Sequence, residues 1–164
     1  MRTLLIGGAL GVLIVLFAGC GGSGTSSSEQ TMQRQADFWA INQIEVNFHK
    51  ATSRQDVELM MSLFAPNATF SIPGKTLTGK RQIRHFWLEA RQFQPENRWL
   101  SDTPPYKTRI TVNGDRGTLY FPCNYIDVKT RKVVKTAAAD MEVTRINGRW
   151  LITDVVASSS TLSR

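Results

Sequence analysis

The hydrophobic period of this chain changes once, from 3.6 residues to 2, and the change falls just beyond Pro95. Upstream, Phe38, Ile41, Ile44, Phe48 and Ala51 recur three or four apart, the spacing that puts side chains on one face of an α-helix. The chain therefore reads as an amphipathic helix from Gln33. Ser53-Arg-Gln-Asp56 supplies a capping signal, and Val57, Met60, Met61 and Phe64 repeat the helical spacing until Pro66 interrupts it. Thr69–Ile72 then reads as a short strand closed by Pro73-Gly74. A third helix follows Gly79, carrying Ile83, Phe86, Trp87, Ala90 and Phe93 and ending before Pro95.

Downstream the alternation predicts strands near 106–112, 116–128, 132–146 and 150–157, separated by Asn113-Gly114-Asp115, the 129–131 region and Asn147-Gly148. Asn-Gly between alternating apolar residues is a strong hairpin signal, because both turn positions need positive φ. Helices first and strands after, with no βαβ alternation, argues an α+β domain: three N-terminal helices on one face of a curved antiparallel sheet. Pro122 lacks a ladder donor, so a bulge or bend is expected there.

The first residues read as an address. Arg2 precedes an uncharged apolar run, 4–18, which has the layout of a signal peptide and falls short of the roughly 17–25 residues a membrane helix needs. Phe17-Ala18-Gly19-Cys20 resembles the lipobox of bacterial lipoproteins, which implies cleavage before Cys20 and lipid on its sulfur. Residues 1–19 are then a lipoprotein signal peptide, and the Gly/Ser-rich segment 20–32 a flexible tether. Residues 33–164 form the folded domain. That places the domain in the cell envelope, outside the cytoplasm, with the membrane as partner through Cys20. In a Gram-negative host Gly21 after the cysteine resembles outer-membrane sorting.

Basic side chains exceed acidic ones by 20 to 13. They are scattered, dense only between Lys129 and Lys135, and no aromatic-interleaved basic motif accompanies them, so no nucleic-acid partner is expected. With Cys20 lipidated, Cys123 has no partner for an internal disulfide and reads as a small buried hydrophobe.

Asp56 followed by Leu63-Phe64-Ala65-Pro66-Asn67-Ala68-Thr69-Phe70 is similar to a run characteristic of the nuclear-transport-factor-2-like superfamily, particularly its SnoaL-like branch. Gly79, Ile83 and Phe86-Trp87 resemble its helix start, and Gly148-Arg-Trp-Leu-Ile152 its last hairpin. The resemblance implies a cone-shaped roll whose mouth holds a ligand, with Phe48, Ile72, Trp87, Trp99 and Tyr125 as pocket candidates. In ketosteroid isomerase, a superfamily member, an Asp base works with a Tyr and a protonated Asp. Alignment on 63–70 puts Phe48 and Ile72 at the Tyr and base positions, where neither can move a proton. The third position falls near Asp140 or Glu142, which alternation turns to water.

Other members use a His and Asp pair. His49 reads as a helix-boundary residue one step off the apolar stripe, whereas His85 stands beside Phe86-Trp87. His85, Asp140 and Glu142 are the catalytic candidates of a rival reading, a cyclase, isomerase or dehydratase. The residues favour a non-catalytic binder of a small apolar molecule or an envelope protein. A structural subunit of an envelope assembly is a third reading, and a homodimer is open to it. No cofactor motif is present, and no spacing of ligands suggests a metal.

Overall fold

The computed structural model describes residues 26–90, 93 and 99–161. The expected signal peptide, Cys20 and the first part of the tether lie outside the described residues. The described chain runs α1 (Ser27–Arg54), α2 (Val57–Ser62), β1 (Phe64–Ile72), β2 (Lys75–Thr78), α3 (Gly79–Glu89), β3 (Trp99–Asp102), β4 (Arg109–Asn113), β5 (Arg116–Asp127), β6 (Val133–Ile146) and β7 (Arg149–Thr161). None of these helices is long and apolar enough to cross a membrane.

The first helix begins earlier than its apolar stripe suggests, so the expected tether is helical from Ser27 onward. The cause is a capping box. The Ser26 hydroxyl accepts from the Glu29 amide at 3.3 Å, and the Ser26 amide donates to the Glu29 carboxylate at 2.9 Å. These turns are exposed, and the cap substitutes for packing. At the other end Gln55 takes left-handed φ of 58°, and Asp56 caps α2 by accepting from the Leu59 amide at 2.8 Å.

The described strands form one seven-stranded sheet ordered β2-β1-β7-β6-β5-β3, with β4 also on β5. The α+β class is as the sequence implies, but the sheet is mixed, because β1 lies parallel to β7 and antiparallel to β2. β1 is also longer than the expected 69–72. It starts at Phe64, directly after α2, so Pro66 sits in an irregular strand rather than after a helix. Between Phe64 and Thr69 the pairing with β7 shifts register, which accommodates the proline's missing donor.

Pro122 likewise falls where no ladder bond is needed. Its carbonyl accepts from the Thr103 hydroxyl, so its nitrogen faces the same edge, between the end of β4 pairing at Tyr120 and the start of β3 pairing at Asn124. The bulge between β5 and β6 lies instead at Tyr125/Ile126. The last hairpin turns on Asn147 and Gly148, with φ of 50° and 76°, as Asn-Gly requires.

The core lies between α1 and the concave sheet face. Ile41, Ile44 and Phe48 of α1 meet Leu119 and Phe121 of β5, Met141 and Val143 of β6, and Ile152 and Val155 of β7. Each such side chain contributes about 1.5–3 kcal/mol by leaving water.

Candidate functional site

Towards the opposite end from the last hairpin the core is not filled. On the concave face of β6, Met141 and Val143 plug the sheet's hollow, whereas Ala137 and Ala139 carry only methyl groups. The result is a cavity of about 440 Å³, within the roughly 300–1,000 Å³ of small-molecule sites. Phe48 of α1, Phe70 and Ile72 of β1, Phe86 and Trp87 of α3, Cys123 and Tyr125 of β5, and Lys135 of β6 line it.

The aromatic wall is interlocked. Phe48 meets Trp87 edge to face at 5.5 Å, Phe70 lies 5.4 Å from Phe86 and 5.9 Å from Trp87, and Phe93 backs Trp87 at 5.1 Å. Trp87 is almost fully buried, and its indole N–H meets no acceptor among the described residues.

Behind Cys123 stands a buried polar cluster that the helix-face reading of His49 misses. His49 is only 8% exposed. Its Nδ1 is 2.7 Å from Ser101 Oγ, and its Nε2 is 2.7 Å from Thr103 Oγ1 and 3.2 Å from Glu45 Oε1. The Ser53 hydroxyl accepts from the Ser101 amide at 2.9 Å, tying α1 to β3. The whole cluster joins helix to sheet edge. Burial pushes the Cys123 thiol up to about 12; a hydrogen bond with Ser101 pulls it down in part, and the Glu45 charge adds to the rise. The sulfur is therefore a protonated wall atom, not a nucleophile.

Of the expected pocket residues, Phe48, Ile72, Trp87 and Tyr125 line the cavity together. Trp99 does not line it; its ring packs against Tyr125 at 6.0 Å from the neighbouring strand. His85 is turned to solvent, with its side chain 74% exposed and Nε2 3.2 Å from Glu89 one turn on. Asp140 and Glu142 project from the convex face, where they border a shallow depression with Arg109, Tyr120 and Asp154. The three catalytic candidates therefore do not converge. Lys135 and Cys123 are among the lining residues that the site reading left out. Alternation carries the signal for Lys135, which shares the parity of Ala137 and Ala139. Among the described residues no group of three or more His, Cys, Asp or Glu could hold a metal ion.

A wider groove of about 910 Å³ runs between the first turns of α1 and the Asn113–Asp115 turn. It is open and lined by charged groups already paired with one another, Asp37 with Arg145 and Arg145 with Asp115. The cavity with its aromatic wall is the better small-molecule site.

No curated protein matches the chain. Among solved structures, an NTF2-like protein with a cystatin-like fold from Novosphingobium aromaticivorans superposes with TM-score 0.71 at 14% identity, covering 87% of this chain and 93% of its own. A cystatin-like-fold protein from Nostoc punctiforme gives 0.65 at 18% identity, with 76% and 92% covered. A hexachlorocyclohexane dehydrochlorinase from Novosphingobium barchaimii gives 0.64 at 14%, with 81% and 91% covered. Likeness at such identity is one of fold. The model of the SnoaL-like domain matches residues 33–156, which takes in every lining residue of the cavity except Ala157 and Ser158, and the chain belongs to that family.

Proposed function

We propose that this domain binds a small, mainly apolar molecule in the cavity between α1, α3 and the sheet, without transforming it, and that lipid on Cys20 holds it at the outer side of a membrane. The observation that carries the binding reading is the pairing of an aromatic wall with methyl-only positions at Ala137 and Ala139, which leaves the end of the core open. The non-catalytic part is supported by the placement of His85, Asp140 and Glu142 away from the cavity and by a wall thiol that stays protonated. The anchor is supported by the apolar run 4–18 and the Ala18-Gly19-Cys20 sequence.

The test is a plugged cavity. Protein purified from its producing cells is extracted with organic solvent, and the released small molecules are compared with those from an Ala137→Trp variant. A species released in stoichiometric amount from the wild type and lost from a variant of unchanged melting temperature supports the reading. Equal release from both, or none from either, overturns it.

A further inference from the structure

We infer that α1 lies along the membrane surface, with Met32, Trp39 and Val46 seated in the lipid headgroup layer. This rests on the reading of Cys20 as the lipid-bearing residue and adds the orientation of the domain on the bilayer. The three side chains are 64%, 67% and 43% exposed. They recur every seven residues, close to two helical turns, so they form one stripe about 21 Å long, half a turn round α1 from the buried Ile41 and Phe48. Single exposed apolar residues are ordinary on a protein surface. A Trp at the centre of such a stripe suits a headgroup layer, because its ring is apolar and its one N–H can meet lipid oxygens.

Two further observations choose the bilayer over another occupant. Cys20 precedes the Ser26 cap by six residues, which reach at most about 22 Å however they are arranged, so the start of α1 stays within that distance of the acyl chains. Met32 follows about 9 Å along the helix axis, and a helix held so close by one end covers its whole stripe by lying flat. The second observation is charge. Beyond Glu29 the exposed residues of α1 include Arg34, Lys50 and Arg54 and no acid, because Asp37 and Glu45 are turned into the protein. Lys50 stands one turn beyond Val46 on the same face, where its stem extends the apolar stripe and its ammonium reaches lipid phosphate.

The test is quenching by brominated lipid. The full lipidated chain is reconstituted in vesicles of phosphatidylcholine and phosphatidylglycerol, and its tryptophan emission is compared with that in the same vesicles brominated near the glycerol end of the acyl chains. Trp87, Trp99 and Trp150 are buried or half-buried and set a background that the Trp39→Phe variant shares. The expected result is that the wild type loses about a quarter of its emission, the share of one tryptophan in four, and that Trp39→Phe, at an unchanged melting temperature, does not. In the Cys20→Ser chain, free in buffer, Trp39 should instead be open to acrylamide. Equal bromolipid quenching of wild type and Trp39→Phe, with the chain still in the detergent phase, overturns the docking and leaves the anchor. A wild-type chain found in the aqueous phase overturns both. A Cys20→Ser chain that sediments as a dimer with Trp39 closed to acrylamide gives the stripe to a second copy and overturns the docking.

Discussion

Asp37 Oδ2 lies 2.6 Å from Arg145 Nη2, a bond between α1 and β6 that spans 108 residues of sequence. The other carboxylate oxygen accepts from the Trp150 indole at 3.2 Å and from the Gln33 amide at 3.0 Å, so an almost fully buried acid has its lone pairs occupied. Asp37→Leu leaves Arg145 with the exposed Asp115 and the face of Trp150, and the Trp150 N–H without its described acceptor. Chemical denaturation should show a loss of about 2–3 kcal/mol. The double variant Asp37→Leu/Arg145→Met should lose less than the sum of the singles, because the penalty of a stranded charge is counted in each single alone.

Gly117 of β5 lies against Ile41 of α1. A Cβ there would stand 2.5 Å from the Thr111 carbonyl oxygen and 3.2 Å from both Ile41 Cδ1 and Val143 Cγ2. The first contact is with backbone, which cannot rotate away. Gly117→Ala should therefore destabilise by about 1–3 kcal/mol despite its better strand propensity, read from the denaturation midpoint at unchanged slope. A stabilised variant would mean that helix and sheet are not packed this closely.

Cys123 offers a pH test. Its thiol is raised from the ordinary 9.0 to about 12, so the folded state holds a proton that the unfolded chain releases first. Stability from this group is present below about pH 9 and lost as pH rises towards about 12. In a Cys20→Ser background, where Cys123 is the one remaining thiol, iodoacetamide at pH 8 should alkylate slowly in buffer and rapidly in guanidinium, as followed by mass spectrometry. Equal rates would refute the sealed, protonated thiol.

The anchor prediction concerns fractionation. Cys20→Ser removes the acylated sulfur and changes no residue of the described core, so the melting temperature should hold while the protein leaves the detergent phase for the aqueous one. Several acyl chains at about 0.8 kcal/mol per buried methylene bind a membrane firmly, and none remains in the variant. Cys20→Ser protein that stays with the membrane after a high-salt wash would mean an uncleaved helical anchor.

The sequence carries the local structure well and the long-range pairing poorly, for a physical reason. Ile41, Ile44, Phe48 and Ala51 write α1's buried face in one turn-length period, and Asn147-Gly148 writes its hairpin in two residues. The capping box at Ser26 and Glu29 was equally legible but lies outside the apolar stripe. By contrast β2 and β3 are four residues each, too short for a period to develop, and nothing in β1 announces that its partner is β7. The site divides in the same way. Alternation turns Asp140 and Glu142 outward, as the structure has them, whereas His49 is buried by residues 52 and 54 positions away whose approach no helical spacing encodes.

The place of β7 in the sheet also sets the timing of folding. It is flanked by β6 on one side and β1 on the other, so the last of the described strands is an interior one, and Thr69 waits for Asp154, 85 residues downstream. Loop-closure entropy must be met before such a contact stabilises anything, which slows folding. Among the described strands β1 and β2 join the rest of the sheet through β7 alone, so in a ribosome-bound chain that hairpin stays unpaired with the other strands until β7 has been made. A chain arranged this way keeps one end of its sheet unpaired until β7 has been made.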